Sequence, residues 1–244
     1  DPHLYRASAG DIKTLNKADL ILYNGLYLEA KMIDIFTKLN KQKPTRAVTK
    51  NIPNSSLLSS EEYDGFPDPH VWFDVTLWKL ATQEVTKALI EIQPQHKKEF
   101  KKNEAIYLKK LTELDHWIKE QISLIPSNQR ILVTAHDAFG YFGKRYQIKV
   151  VGLQGISTKA EANTKDIQNI TKIIINNKVP TIFIESSVPV KQIEAVQAAA
   201  NAKGYSVSIG TPLFTDAMGD KGTPEGSYIG MIKHNVNSIR TGLK

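Results

Sequence analysis

The chain has 244 residues, 41% hydrophobic and 23% charged, an ordinary balance for a globular protein of one large domain or two modest ones. With no cysteine, thiol catalysis, disulfides, Cys-containing zinc sites and iron–sulfur clusters are excluded, and no run of about 18 apolar residues offers a transmembrane helix. The formal charge of +7 does not point to nucleic acid, because the lysines scatter or interleave with acids, as over Lys97, Lys98, Glu99, Lys101, Lys102 and Glu104, and no groove-reading motif accompanies them.

The chain begins abruptly at Asp1, without a basic-apolar-small leader, which fits a processed or truncated product. The tripeptide Asp1-Pro2-His3 recurs as Asp68-Pro69-His70. Proline fixes its own φ and pushes the preceding Asp out of the helical region, so each triplet reads as a bend that presents an imidazole. Between the two, Asp19 to Asn24 suits a buried strand closed by Gly25, and Leu26 to Leu39 has helical apolar spacing. Tyr23-Asn24-Gly25 reads as a turn, Arg46 to Ile52 as a further strand, and Asn54 to Asp64 as a polar loop.

Val75 to Ile92 is an amphipathic helix, and Pro94 to Pro126 is the longest uninterrupted helical pattern, about 45 Å at 1.5 Å per residue. A helix that long reads as a spine joining two lobes. Strands then alternate with helices. Arg130 to Thr134, Ile148 to Leu153, Thr181 to Glu185 and Tyr205 to Ile209 are strands; Ala138 to Tyr146, Ile167 to Asn177, Gln192 to Ala202 and Tyr228 to Leu243 are helices. The expected fold is α/β, with parallel sheets flanked by helices in two lobes: residues 1–93, a linking helix over 94–126, and residues 127–244.

Ligands in open parallel sheets bind beyond the carboxyl ends of strands. His136 falls two residues past the strand RILVT, and Asp216 lies in a loop after the last strand. With His3 and His70 they make three imidazoles and one carboxylate on separate loops, a set that suits zinc, manganese or iron in a cleft between the lobes. The ordinary alternatives are a satisfied histidine after a strand and an Asp that caps a turn. His96, His116 and His234 read as solvated helix positions, and Asn163 to Asp166 as a helix cap. Glu185 reads by default as a helix-entry cap, and alternatively as a group orienting a ligand imidazole. No nucleophile elbow, P-loop or dinucleotide fingerprint is present.

The motifs DPHLY, ADLILYNGLYLE, DPHVWFD, TAHDAFGYF, GLQGIST, IFIESSV and LFTDAMG, followed by SYIGMIKHN, resemble those of the TroA-like metal-binding solute receptors of ABC importers, in the family's order along the chain. The resemblance implies two α/β lobes joined by one backbone helix, with a single Zn, Mn or Fe ion held between them and passed to a membrane permease. It places ligands on His3, His70, His136 and Asp216, the version with three His and one Asp; where members use Glu as the third ligand, that Glu lies near Gln154. It implies a monomeric, non-enzymatic, periplasmic or cell-surface protein that binds no nucleic acid, with lipid anchoring through sequence absent here. Two departures stand out. The family's first β–α unit before the first ligand is missing, and the loop SSLLSSEEYDGF lacks the histidines of dedicated zinc scavengers.

Imidazoles ligate only when deprotonated, so metal affinity is expected to fall as pH drops through about 6. Two further readings stay open. One is a metal-dependent hydrolase on the same ligands, with Asp137, Glu185 or Asp68 as general base. The other is an adhesin-like surface role.

Overall fold

Parallel strand pairs flanked by helices form the architecture, in a computed structural model that describes residues 1–59 and 65–244. The chain divides into two compact units, Pro2–Asp115, and His116–Lys244 together with Asp1.

The amino-terminal unit carries α1 (Ala9–Lys17), β1 (Ile21–Tyr23), α2 (Ile33–Leu39), β2 (Thr45–Ala47), α3 (Val75–Ile92) and the first part of α4 (Lys97–Ser123). Strands β1 and β2 pair in parallel from Ile21 opposite Thr45 to Tyr23 opposite Ala47, over a small core of Ile21, Phe36 and Leu39. Helix α1 was not among the expected elements. It starts with a reciprocal capping box between Ser8 and Asp11 and buries no residue fully, although Leu15 packs, partly covered, against that core. Helix α3 occupies the expected residues; the Asp74 carboxylate accepts the Thr76 N–H at 2.8 Å.

The helix expected over Leu26 to Leu39 forms only in part. Gly25, Leu26 and Tyr27 all adopt left-handed backbone, with φ of 89°, 53° and 69°. A 3-10 turn over Ala30–Met32 follows before α2 begins. Left-handed backbone costs about 1–2 kcal/mol for each of Leu26 and Tyr27, and the turn is held by the Glu29 carboxylate, which accepts the N–H of Asn24 and of Gly25. The strand expected over Arg46 to Ile52 ends at Ala47, because the Lys50 and Ile52 N–H groups bond back to Ala47 and Thr49 in successive turns. In the expected loop over 54–64, Asn54–Ser56 forms a 3-10 turn and Ser59 bridges to Pro67. Residues 60–64, which include part of the His-free stretch, lie outside the described residues.

Helix α4 follows a 3-10 turn at Pro94–His96 and runs 27 residues, about 40 Å. Leu111, Leu114, Ile118 and Ile122 recur along it at threes and fours, each no more than 2% exposed. The boundary between the units falls within it, after Asp115.

The carboxy-terminal unit continues with β3 (Ile131–His136), α5 (Gly140–Tyr146), β4 (Lys149–Gln154), α6 (Thr164–Asn177), β5 (Thr181–Glu185), α7 (Lys191–Ala202), β6 (Ser208–Leu213) and α8 (Tyr228–Leu243). Strands β3 and β4 form one parallel pair and β5 and β6 another, with β3 running beside β5. Val133, Ile170, Ile174, Ile182, Ile193, Val196 and Ala200 close the core between these strands and α6 and α7. The Asn163–Asp166 pair is a capping box on α6, as expected. Strand β3 extends two residues beyond its expected end, so His136 is its last residue. Strand β6 begins three residues later than expected; the Tyr205 hydroxyl donates to the Val179 carbonyl at 2.9 Å and keeps Tyr205 in the connection. Among the described residues no helix is long and apolar enough to cross a membrane.

Ile182 is fully buried in this core. Ile182→Ala is expected to lower the unfolding free energy by about 2–5 kcal/mol, read from urea denaturation.

Candidate metal centre

In the amino-terminal unit the structure brings His3 and His70 together, both buried, with their Nε2 atoms 3.3 Å apart. Two ligand atoms about 2.0–2.1 Å from one ion, at the tetrahedral angle, stand about 3.3–3.4 Å apart. The orientation of His70 is set by its own bend. Asp68 Oδ1 accepts both the His70 backbone N–H at 2.9 Å and the ring Nδ1–H at 2.7 Å. With the proton assigned to Nδ1, the lone pair is on Nε2 and faces His3. The Trp72 indole packs edge-on against the His70 ring at 5.1 Å.

The two Asp-Pro-His copies are used differently. Asp68 clamps its own histidine, whereas the Asp1 carboxylate accepts the Thr158 hydroxyl at 2.6 Å.

In the carboxy-terminal unit the second pair is His136 and Asp216. His136 Nε2 stands 3.4 Å from Asp216 Oδ2, and both side chains are fully covered. His136 repeats the device of His70 with a partner remote in sequence. The Glu185 carboxylate accepts the His136 backbone N–H at 2.9 Å and, in a short hydrogen bond, the ring Nδ1–H. Glu185 therefore orients a candidate ligand. The next helix, α7, has Val190 at its N-cap and no side-chain cap, so the helix-entry role is corrected.

The Asp216 loop is pinned on both sides of Phe214-Thr215. Buried Asn235 on α8 accepts the Phe214 N–H at 2.9 Å and donates to its carbonyl at 2.6 Å. Thr215 donates its hydroxyl to Glu185 at 2.9 Å and meets the Ser187 hydroxyl at 2.9 Å. Gln154 sits opposite His136 in the β3–β4 register and donates to Gln192 at 3.0 Å.

Sequence reasoning did not find Asp68 as a clamp, nor Thr215 or Asn235 as supports. Asp68 had a local signal, a carboxylate two residues before the histidine across a proline. The contacts of Glu185 and Asn235 span 49 and 21 residues and leave no local trace. Of the other histidines, His96 is exposed and pairs with Glu99 at 3.4 Å, and His116 is exposed. His234 departs from the expected solvated position: it is partly covered, bonds the Pro212 carbonyl at 2.9 Å and packs edge-on against Phe214.

Each unit thus presents a buried pair of candidate ligand atoms at the spacing of a small transition-metal ion, with one imidazole of each pair held by a carboxylate. That chemistry defines a metal-binding protein of the α/β class. The chain belongs to the family described as zinc-uptake complex component A, periplasmic, whose profile matches residues 1–242.

The zinc-binding protein TroA of Treponema pallidum is 48% identical over 243 residues, covering 100% of this chain and 78% of that protein. The manganese-binding lipoprotein MntA of Bacillus subtilis is 46% identical over 244 residues, covering 100% and 79%. Among solved structures, periplasmic zinc-binding TroA from Treponema pallidum superposes with a TM-score of 0.97, covering 100% of this chain and 87% of that one at 48% identity. Fe(III)-bound YtgA from Chlamydia trachomatis gives 0.88 at 30% identity, covering 100% and 86%. The family is one of solute-binding components of importers rather than enzymes, and these relatives give no support to the hydrolase alternative.

Two variants probe how the site is held. Glu185→Gln should weaken zinc binding by about 10–100-fold, measured by chelator competition. A Cβ at Gly152 would come within 2.5 Å of the Asp137 backbone nitrogen, next to His136. Gly152→Ala should therefore cost about 1–3 kcal/mol of stability, read as a lower urea midpoint.

Proposed function

We propose that the protein captures one divalent transition-metal ion on His3, His70, His136 and Asp216 and delivers it to the permease of an ABC importer. The observation that carries the reading is the pair of ligand spacings, 3.3 Å and 3.4 Å, each anchored by a carboxylate-held imidazole. Three imidazoles and one carboxylate would fill all four positions of a tetrahedral zinc ion, which favours capture over hydrolysis for that metal. We assign one pair to an amino-terminal lobe over 1–93, the other to a carboxy-terminal lobe over 127–244, and the link to the helix over 94–126.

The protein works outside the cytoplasm, as its periplasmic and lipoprotein relatives do. It acts as a monomer and binds no nucleic acid. In support of the latter, acids offset the basic helix face, as where Lys101 pairs with Glu104 at 2.9 Å. The cargo is zinc, manganese or iron, the metals named for the relatives. A nitrogen-rich site binds zinc more tightly than manganese in vitro whichever ion it carries, so elemental analysis of protein purified without added metal identifies the cargo better than affinity does.

The ligand assignment is tested by the metal content of His70→Ala and Asp216→Ala, each expected to fall from about one equivalent to well below it. Unchanged stoichiometry in both variants would overturn the assignment.

A further inference from the structure

The turn after β1 is the most constrained backbone in the amino-terminal unit, and metal capture as described gives it no role. Gly25, Leu26 and Tyr27 are left-handed in succession. A Cβ at Gly25 would come within 2.8 Å of Ala47 and 2.9 Å of Thr49 Oγ1. The Glu29 carboxylate closes the turn by accepting the Asn24 N–H at 2.6 Å and the Gly25 N–H at 3.1 Å, so two successive amides converge on one anion. Thr49 fixes the other side, its hydroxyl donating to the Asn24 carbonyl at 2.6 Å.

Held in this way, the Asn24 side-chain amide reaches 45 residues along the chain and donates to the Pro69 carbonyl at 3.0 Å. Pro69 stands between the clamp Asp68 and the ligand His70. Strained backbone persists only where its surroundings over-determine it, and such strain concentrates at functional sites.

We propose that Glu29 is a positioning residue for metal capture, acting through Asn24 and the Pro69 carbonyl on the bend that aims His70. The inference rests on His70 being a ligand, as proposed above. Burial pushes the Glu29 carboxyl up, against the lowering pull of the N–H groups of Asn24, Gly25 and Glu29 itself. What the side chain holds is the turn.

The test uses the full chain with Glu29→Gln, Asn24→Ala and the double variant. Zinc affinity is measured by competition with a chromogenic chelator, coordination by the visible spectrum of cobalt(II) bound in place of zinc, and apo stability by thermal melting. Each single variant should lose about 10-fold or more in zinc affinity, the scale of outer-shell changes, and shift the cobalt bands while holding about one equivalent of metal. The apo melting temperature should change by no more than a few degrees. The double variant should be no weaker than the weaker single one, because both substitutions break one chain of contacts.

Wild-type affinity in either variant overturns the proposal, as do additive losses or cobalt bands identical to wild type. If Glu29→Gln fails to fold, Asn24→Ala decides alone. A wild-type protein that binds no zinc would instead overturn the capture function, a result distinct from any of these.

Discussion

An imidazole binds a cation only through a nitrogen lone pair, and much of this structure serves to hold two such lone pairs in place. His70 and His136 each have Nδ1 engaged by a carboxylate that also takes the backbone N–H of the same residue. The ring is thereby fixed in tautomer and in direction at once. The parallel topology supplies the remaining geometry in the carboxy-terminal unit. Strand β3 ends at His136, β5 ends at Glu185, and β6 ends at Leu213, three residues before Asp216. A candidate ligand, its orienting group and the loop to a second candidate thus emerge at the carboxyl ends of neighbouring strands, where open α/β sheets place their sites.

The two clamps differ in reach. Asp68 uses a single oxygen on a histidine two residues away, within a bend that proline already restricts. Glu185 divides two oxygens between the ring and backbone of a residue 49 positions away and takes the Thr215 hydroxyl as well. The first clamp is a local motif; the second exists only once β3 and β5 lie side by side.

That difference also accounts for how much could be read from the sequence. His70 and His136 were legible because a proline and a strand end mark them, α3 and α8 because their apolar periods coincide with their caps, and β5 because it is a continuous apolar run after Pro180. Glu185 was misread in its default role because its contact depends on strand order, which one sequence does not display. The turn at Gly25 to Tyr27 was hidden by the apolar spacing of Leu28, Met32, Ile35 and Phe36, which has a helical period whether or not the first turn forms. Positive φ at Leu26 and Tyr27 accompanies the hydrogen bonds of Glu29 to the two preceding amides, and neither residue type announces it. Helix α1 was missed for the opposite reason, being well capped but burying no residue fully.

Rigid support of this kind has a consequence for unloading. In each pair the donor atoms already stand at about the separation they would have around an ion, so capture requires little ordering of the chain. His3 Nε2 and His70 Nε2 stand 3.3 Å apart, within hydrogen-bond reach, so with no ion between them a proton on His3 can bridge the pair. On the proposed receptor, a proton and the ion therefore compete for the same gap.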